Sequence, residues 1–331
     1  MLPGRQSDSM PRIPLPDDLP LAFRTADARA NGIGEGRLRG SDLRRPFHGV
    51  RSRRELRLPD VVTEGELHRA RIVRAMSEYA ERMTSDEFFS HGSAAILWGA
   101  AVPFGATEEL HVGVLHPHRL PRARGVRGHQ ARSTQTRVVV HPDTGLRVAS
   151  PATTWAMLGA VLRHPYDLVA AGDSFIRVQR MPGPWVREMP PPLASRHQLE
   201  QAVRAGRRVG GPALRAALPL LRTGAASRPE SWTRLTICDA GLPEPVLDYD
   251  AYDKNGLFIG CVDLAYPELK IAIEYEGDHH RTDVATWNRD LAKHDALQAA
   301  GWRVIRVSRT MLFAQPTELI TRVCAALAQR S

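Results

Sequence analysis

The sequence predicts a multidomain protein of the α/β class. Three observations lead there. The 331 residues suffice for two or three domains with cores of their own. Hydrophobic residues at 43% and charged residues at 24% are ordinary for a globular chain. Runs with helical periodicity alternate with short β-rich runs, and 26 glycines and 25 prolines supply many turns between them.

Charge and cysteine usage narrow the class. A net charge of +9 points towards a polyanionic partner, nucleic acid before others. The alternative is a base composition that favours Arg over Lys, with no partner implied. Cys238, Cys261 and Cys324 are odd in number, far apart and without a CxxC pair. That argues against a zinc knuckle and against a disulfide framework. They read as small buried hydrophobes in a reducing compartment. The first twenty residues contain no apolar core of a signal peptide. The most apolar run, "AAILWGAAVPF", is too short and broken to span a bilayer. A cytoplasmic protein with no membrane partner is expected; the oligomeric state is left open.

Residues 1–20 are rich in Pro and charge and read as a loose tail. Residues 21–58 read as a short helix over Ala26–Ala30 capped by Thr25, a turn at "NGIGEG", a second short helix at "EGRLRGSDL", and a basic hairpin at "LRRPFHGVR". That order is the order of a winged helix-turn-helix. Its basic second helix would sit in a DNA groove and its wing on phosphate, through Arg37, Arg39, Arg44, Arg45 and Arg51.

Residues 59–185 read as an α+β middle domain. "EGELHRARIVRAMSEYAERM" is helical, "SHGSAAILWGAAVPFG" is a helix packing on small residues, and "ELHVGVLHP", "TRVVVHP" and "GLRVASP" are strands. "SPATTWAMLGAVLRHPYDLVAAGDSFIR" supplies two more helices. His91, His111, His116, His118, His129 and His141 fall at no trusted metal-ligand spacing, so they read as surface or hydrogen-bonded groups. Residues 186–226 open with "EMPPPL" and continue as a helical linker. Its "GRRVGG" is a turn rather than a phosphate loop, because the GK[ST] ending and a preceding strand are missing.

Residues 227–331 carry the chemistry. Ser227, Pro229 and Glu230 open a helix that Gly241 closes. Three strands follow as an antiparallel meander, then a helix closed by Gly301, a short strand at "WRVIRVS" and a last helix. Strand side chains alternate, so Glu274 and Glu276 share a face, about 6.5–7 Å apart. A tight Pro-Glu turn brings Asp263 of the preceding strand close to Glu274. Carboxylates collected on one sheet face repel each other and raise each other's pKa. A shared divalent cation turns that repulsion into binding, and oxygen ligands select Mg²⁺ or Mn²⁺.

This stretch, over about residues 228–328, resembles the PD-(D/E)xK nuclease superfamily, within it the very-short-patch-repair-like endonuclease domains. The resemblance implies a restriction-endonuclease-like α/β/α fold and metal-dependent hydrolysis of DNA phosphodiester bonds. Asp263 matches the motif aspartate, Glu274 the (D/E) of the next strand, and Glu230 the acid on the preceding helix. "EYEGDHH" and "NRDLAKHDALQAAGWRVIRVS" fit the subgroup's strand, helix and strand. The motif lysine is absent: Glu276 stands in its place. Lys293 and His280 are candidates to replace it, or Glu276 is a further metal ligand beside Asp263, Glu274 and Glu230. Residues 21–185 resemble the winged-helix and middle segments of abortive-infection antitoxin-like proteins. The competing expectation is therefore a DNA-binding regulator whose nuclease fold is catalytically silent.

Overall fold

A computed structural model describes residues 14–54, 63–185, 187–277 and 284–330, the side chains of 284–288 excepted. Three sheets are found among these residues. The first is small. Strand β1 (Ala22–Arg24), helix α1 (Thr25–Ala30), helix α2 (Glu35–Leu38) and strands β2 (Leu43–Arg44) and β3 (Val50–Arg53) form a sheet of order β1-β3-β2.

Two expectations change here. Thr25 does not cap α1. It is the first helical residue, buried, and its N–H goes to Gly49 O at 2.8 Å, so Arg24 takes the cap position. Part of the expected loose tail is also ordered. Leu15 is buried with Phe23, Ala28, Ile33, Leu38 and Leu43, because five short elements need every apolar neighbour to close a core.

The middle part follows in the order α3 (Glu64–Ala80), β4 (Glu87–Phe89), α4 (His91–Leu97), β5 (Leu110–Leu115), β6 (Val126–Ala131), β7 (Val138–Val140), β8 (Arg147–Ala149), α5 (Pro151–Leu158) and α6 (Pro165–Ile176). A capping box between Thr63 and Glu66 starts α3. The five strands pair in the order β6-β5-β4-β8-β7. Sequence reading missed β4 and β6: one has three residues, the other is polar and lies on the sheet edge. Buried Glu78 of α3 accepts hydrogen bonds from Arg44, Ser52 and Arg74, which ties the first sheet to the second.

Residues 186–226 were expected to be a helical linker. The helices are α7 (Arg196–Arg204) and α8 (Gly211–Ala217), and both pack into the main core. Leu199, Val203, Leu214 and Leu221 are buried there with Trp155, Leu168 and Phe175. The amphipathic spacing of those leucines and valine drives the packing. Leu235 reaches the same core from the next helix, α9 (Arg228–Asp239).

The C-terminal part then runs β9 (Val246–Tyr252), β10 (Phe258–Tyr266), β11 (Ile271–Glu276), α10 (Val284–Ala299), β12 (Arg303–Ser308), α11 (Arg309–Phe313) and α12 (Pro316–Ala328). The expected order is present with one addition, the short α11. Its sheet has the order β12-β11-β10-β9. β9, β10 and β11 are antiparallel neighbours, and β12 joins β11 in parallel after the α10 crossover. Ile237, Leu264, Ile271, Ile273, Ile305 and Val307 fill the layer towards α9 and α12. Leu297 and Trp302 pack against Ala251, Val262 and Ala272 in the layer that includes α10. Helix layers on both faces of the sheet are the consequence. Cys324 is exposed rather than buried, because its position falls on the outer side of α12; Cys238 and Cys261 are half-buried. Among the described residues no helix is long and apolar enough to cross a membrane.

Candidate active site

The β10–β11 ladder pairs Leu264 with Ile273, Ala265 with Ala272 and Tyr266 with Ile271. One step further along this register, Asp263 lies opposite Glu274. The pairing ends there. Instead, Asp263 Oδ2 accepts the N–H of Tyr275 at 2.8 Å, so the carboxylate itself continues the ladder. Asp263 Oδ1 has no hydrogen-bond partner among the described residues.

Glu274 is buried, at 6% exposure. Two side chains of α10 hold it. Lys293 Nζ donates to Glu274 Oε1 at 2.5 Å and to Cys261 O at 3.1 Å. His294 Nε2 lies 2.7 Å from Glu274 Oε2. Adjacent residues on a helix point about 100° apart, which lets Lys293 and His294 reach the two oxygens from different sides. The stem of Lys293 runs over Gly260: a Cβ there would stand 2.6 Å from Lys293 Cδ. The missing side chain at 260 makes room for the lysine.

Asp263, Glu274, Glu276 and Lys293 line one cleft of about 500 Å³, with His294, Arg306 and Thr310. Four of the residues singled out from sequence thus meet at one place. Glu276 is ion-paired with Arg306 of β12. Glu230 stands off the cleft wall. It is buried at the start of α9 and accepts the N–H of Ala226 at 2.7 Å. Enclosure by protein pushes its carboxyl above the usual range, and the nearby Asp263 charge adds to this. Asp263 is raised as well, by desolvation first; the Tyr275 N–H works against the shift and the Glu274 charge adds to it. His280 lies outside the described residues, as do Asp278, His279 and Asp283.

The donor chemistry fits a hard divalent cation. The candidate ligands are all oxygens, which suits Mg²⁺ or Mn²⁺. Asp263 offers an unpartnered oxygen inside a patch where burial leaves negative charge undercompensated. Each oxygen of Glu274 has one hydrogen-bond partner and keeps a second lone pair.

Two contributors escaped the sequence reading. His294 sits beside Lys293 in "AKHDA", and helical phase alone does not reveal that both turn to one carboxylate. Arg306 is aligned with Glu274 across the parallel β11–β12 pair, a register that no sequence pattern specifies. A third, Arg180, arrives from the segment after α6. It donates to Asp248 Oδ2 and Asp250 Oδ2, each at 2.7 Å, and so neutralises the neighbouring acids of β9.

The five arginines of the first sheet unit differ in availability. Arg37 is half-buried against Asp42 at 2.6 Å, and Arg44 pairs with Glu78 at 3.1 Å. Arg51 donates to the carbonyls of Leu38 and Val50. Arg39 and Arg45 are exposed, with no ion-pair partner among the described residues. Arg29, Arg45, His48 and Arg51 line one shallow basic concavity.

Comparison with known proteins gives relatives without an assigned role. The chain is 29% identical over 239 residues to uncharacterized proteins of two Mycobacterium tuberculosis strains, covering 71% of this chain and 79% of each relative. No family model matches, and no solved structure matches.

Proposed function

We propose that the C-terminal part is a metal-dependent endonuclease that hydrolyses DNA phosphodiester bonds. The observation that carries this reading is the convergence of Asp263, Glu274 and Lys293 on one open cleft. Two acids converging beside a cation, with burial raising the Asp263 carboxyl, mark a site arranged for chemistry rather than for stability. A divalent cation held by Asp263 and Glu274 would polarise the scissile phosphate and lower the pKa of an attacking water.

The residues of the chain do the positioning. Lys293 has three N–H donors and uses two on Glu274 and Cys261 O, so one remains for a water or a phosphate oxygen. His294 fixes the second oxygen of Glu274 and thereby the plane of the carboxylate. Glu276 and Arg306 neutralise each other on the wall, which leaves the Lys293 ammonium as the group best placed to meet substrate charge. In this reading Lys293 takes the part of the motif lysine whose place Glu276 occupies. Arg39 and Arg45, with the basic concavity of the winged-helix-like unit, hold duplex phosphates.

A second reading has one observation in its favour. Both oxygens of Glu274 already have partners, as expected of a nuclease fold that binds without cutting. Cleavage of plasmid and oligonucleotide DNA in Mg²⁺ or Mn²⁺ separates the two. The enzyme reading expects metal-dependent products that EDTA and Asp263→Asn both abolish. Duplex binding with no product under any metal would establish the silent, regulator-like alternative.

A further inference from the structure

A second cluster lies far from the acids, in the middle sheet. His91, His111 and His129 were expected to be unrelated surface or hydrogen-bonded groups. They instead bring one ring nitrogen each to within 4.8 Å of the others. Their separations in sequence, 20 and 18 residues, hide this, because one comes from a helix start and two from neighbouring strands.

The backbone is arranged to hold them. β5 and β6 run parallel, with His111 opposite Arg127 and Gly113 opposite His129. His111 and His129 are therefore diagonal neighbours on one face. His129 Nε2 lies 3.0 Å from His111 Nδ1. His91 opens α4 in a left-handed conformation, φ 46°, which is uncommon for a residue with a side chain. That strain is held in place from both sides. Ser90 N–H donates to His111 O at 3.0 Å, and the Ser93 hydroxyl accepts from His111 N–H at 2.8 Å. Gly92 has to be glycine, since a Cβ would stand 2.0 Å from Ala106 O. The run "SHGSAA" is thus a bracket that fixes the His91 ring against His129, with centroids 3.9 Å apart.

The chemistry around the rings is that of a ligand set. His91 Nδ1 is hydrogen-bonded to Ser90 Oγ at 3.0 Å, which orients the ring and frees Nε2. Among the described residues His91 Nε2, His111 Nε2 and His129 Nδ1 have no hydrogen-bond partner. Burial first, then neighbouring rings at His91 and His111 and the Arg127 charge at all three, lower the imidazoles' pKa towards the uncharged form that donates a lone pair. The His91 and His129 rings border a cleft of about 320 Å³, with His111 buried behind them, and its exposed rim carries Arg132 and Arg207.

We propose that His91, His111 and His129 form a second metal centre, taking one Zn²⁺-class transition ion through three imidazoles with its fourth position open to the cleft. Three nitrogen ligands and an accessible fourth site are the pattern of non-structural zinc sites. Imidazole also selects against Mg²⁺, so this centre and the acidic cleft sort different ions. Bond lengths of 2.0–2.1 Å place tetrahedral ligand atoms about 3.4 Å apart, within reach of small ring rotations from the present spacing. The arginine rim favours an anionic oxygen, such as phosphate, as the fourth ligand.

The test uses the full chain with Zn²⁺ and Co²⁺ as probes. Equilibrium dialysis of the double variant Asp263→Asn, Glu274→Gln isolates this centre from the acidic cleft. One Zn²⁺ per chain is expected at micromolar free metal, and Co²⁺ is expected to give the intense visible bands of a four-coordinate site with three nitrogen ligands. His129→Phe keeps the stacked ring without its lone pairs and should weaken Zn²⁺ binding at least tenfold. His111→Gln with His129→Gln should weaken it further. Circular dichroism and melting in EDTA verify that each variant is folded. The proposal is overturned if the folded chain retains no Zn²⁺, if His129→Phe binds it as tightly as the parent, or if binding disappears with the acidic pair alone.

Discussion

Gly260→Ala tests the placement of Lys293 without touching any charged group. The new Cβ would lie 2.6 Å from Lys293 Cδ and 2.9 Å from Cγ. Carbon atoms in contact sit about 3.5–4.0 Å apart, so the stem has to move by about 1 Å. The bond from Nζ to Cys261 O is 3.1 Å long and passes out of hydrogen-bond range with such a shift. Losing a hydrogen bond from a charged donor costs about 1.5–3 kcal/mol. Replacing glycine in a strand returns about 0.5–1 kcal/mol through chain entropy. The net loss of stability is then about 1–2 kcal/mol, a few degrees of melting temperature. The effect on catalysis is larger, since misplacing a reacting group by 1 Å costs about 10²-fold. Metal-dependent cleavage rates of Gly260→Ala and Lys293→Met, beside their melting curves, provide the measurement. Both variants should be folded, and both should lose about 10²-fold or more in rate. Full activity in Lys293→Met would remove the lysine from the mechanism. Full activity in Gly260→Ala alone would show that the position of its stem is irrelevant.

Four further outcomes follow from the geometry. Asp263→Asn keeps an oxygen acceptor for the Tyr275 N–H, so cleavage should vanish with a melting temperature within a few degrees of the parent. Because the Asp263 carboxyl is raised, protons compete with the metal at higher pH than at an ordinary carboxylate; apparent Mg²⁺ affinity should rise with pH through that range, as calorimetry would show. In the metal-free protein the sign for stability is opposite: the contribution is full below the ordinary carboxylate range and lost as pH rises through the raised value. Glu230→Gln retains the acceptor for Ala226 N–H while removing a buried charge beside Asp263, so denaturant unfolding should give equal or higher stability and the Mg²⁺ pH profile should shift to lower pH. Arg39→Ala with Arg45→Ala should weaken duplex binding evenly across sequences and lower the salt dependence by about one unit per lost phosphate contact; an unchanged slope would exclude this surface.

The legible and the hidden parts of this molecule differ in a physical way. The order of C-terminal elements was readable because its signals are local: Ser227 and Gly241 bound α9, and alternation marks β10 and β11. Asp263 and Glu274 were readable for the same reason, since one short turn joins their strands. What stayed hidden depends on contacts between distant segments. Arg306 meets the site through a parallel register set by a crossover, and the histidine cluster through a helix start and two strands. In residues 186–226 the helical pair was readable, but not the Trp155 core that it covers. Thr25 shows the limit of capping rules, because a tertiary bond from its N–H to Gly49 decided the helix start.

Arg180 has a consequence for dissecting the protein. It belongs to the chain before α7, yet its guanidinium satisfies two aspartates of β9 and donates to Cys261 Sγ beside Asp263. A fragment cut at residue 227 would also lose Asp173, the buried partner of Arg234 in α9. Such an excised piece would expose orphaned charges at the edge of its own sheet. Any shorter piece made to test the proposed cleavage therefore has to begin upstream of α6, because a piece cut later lacks this support.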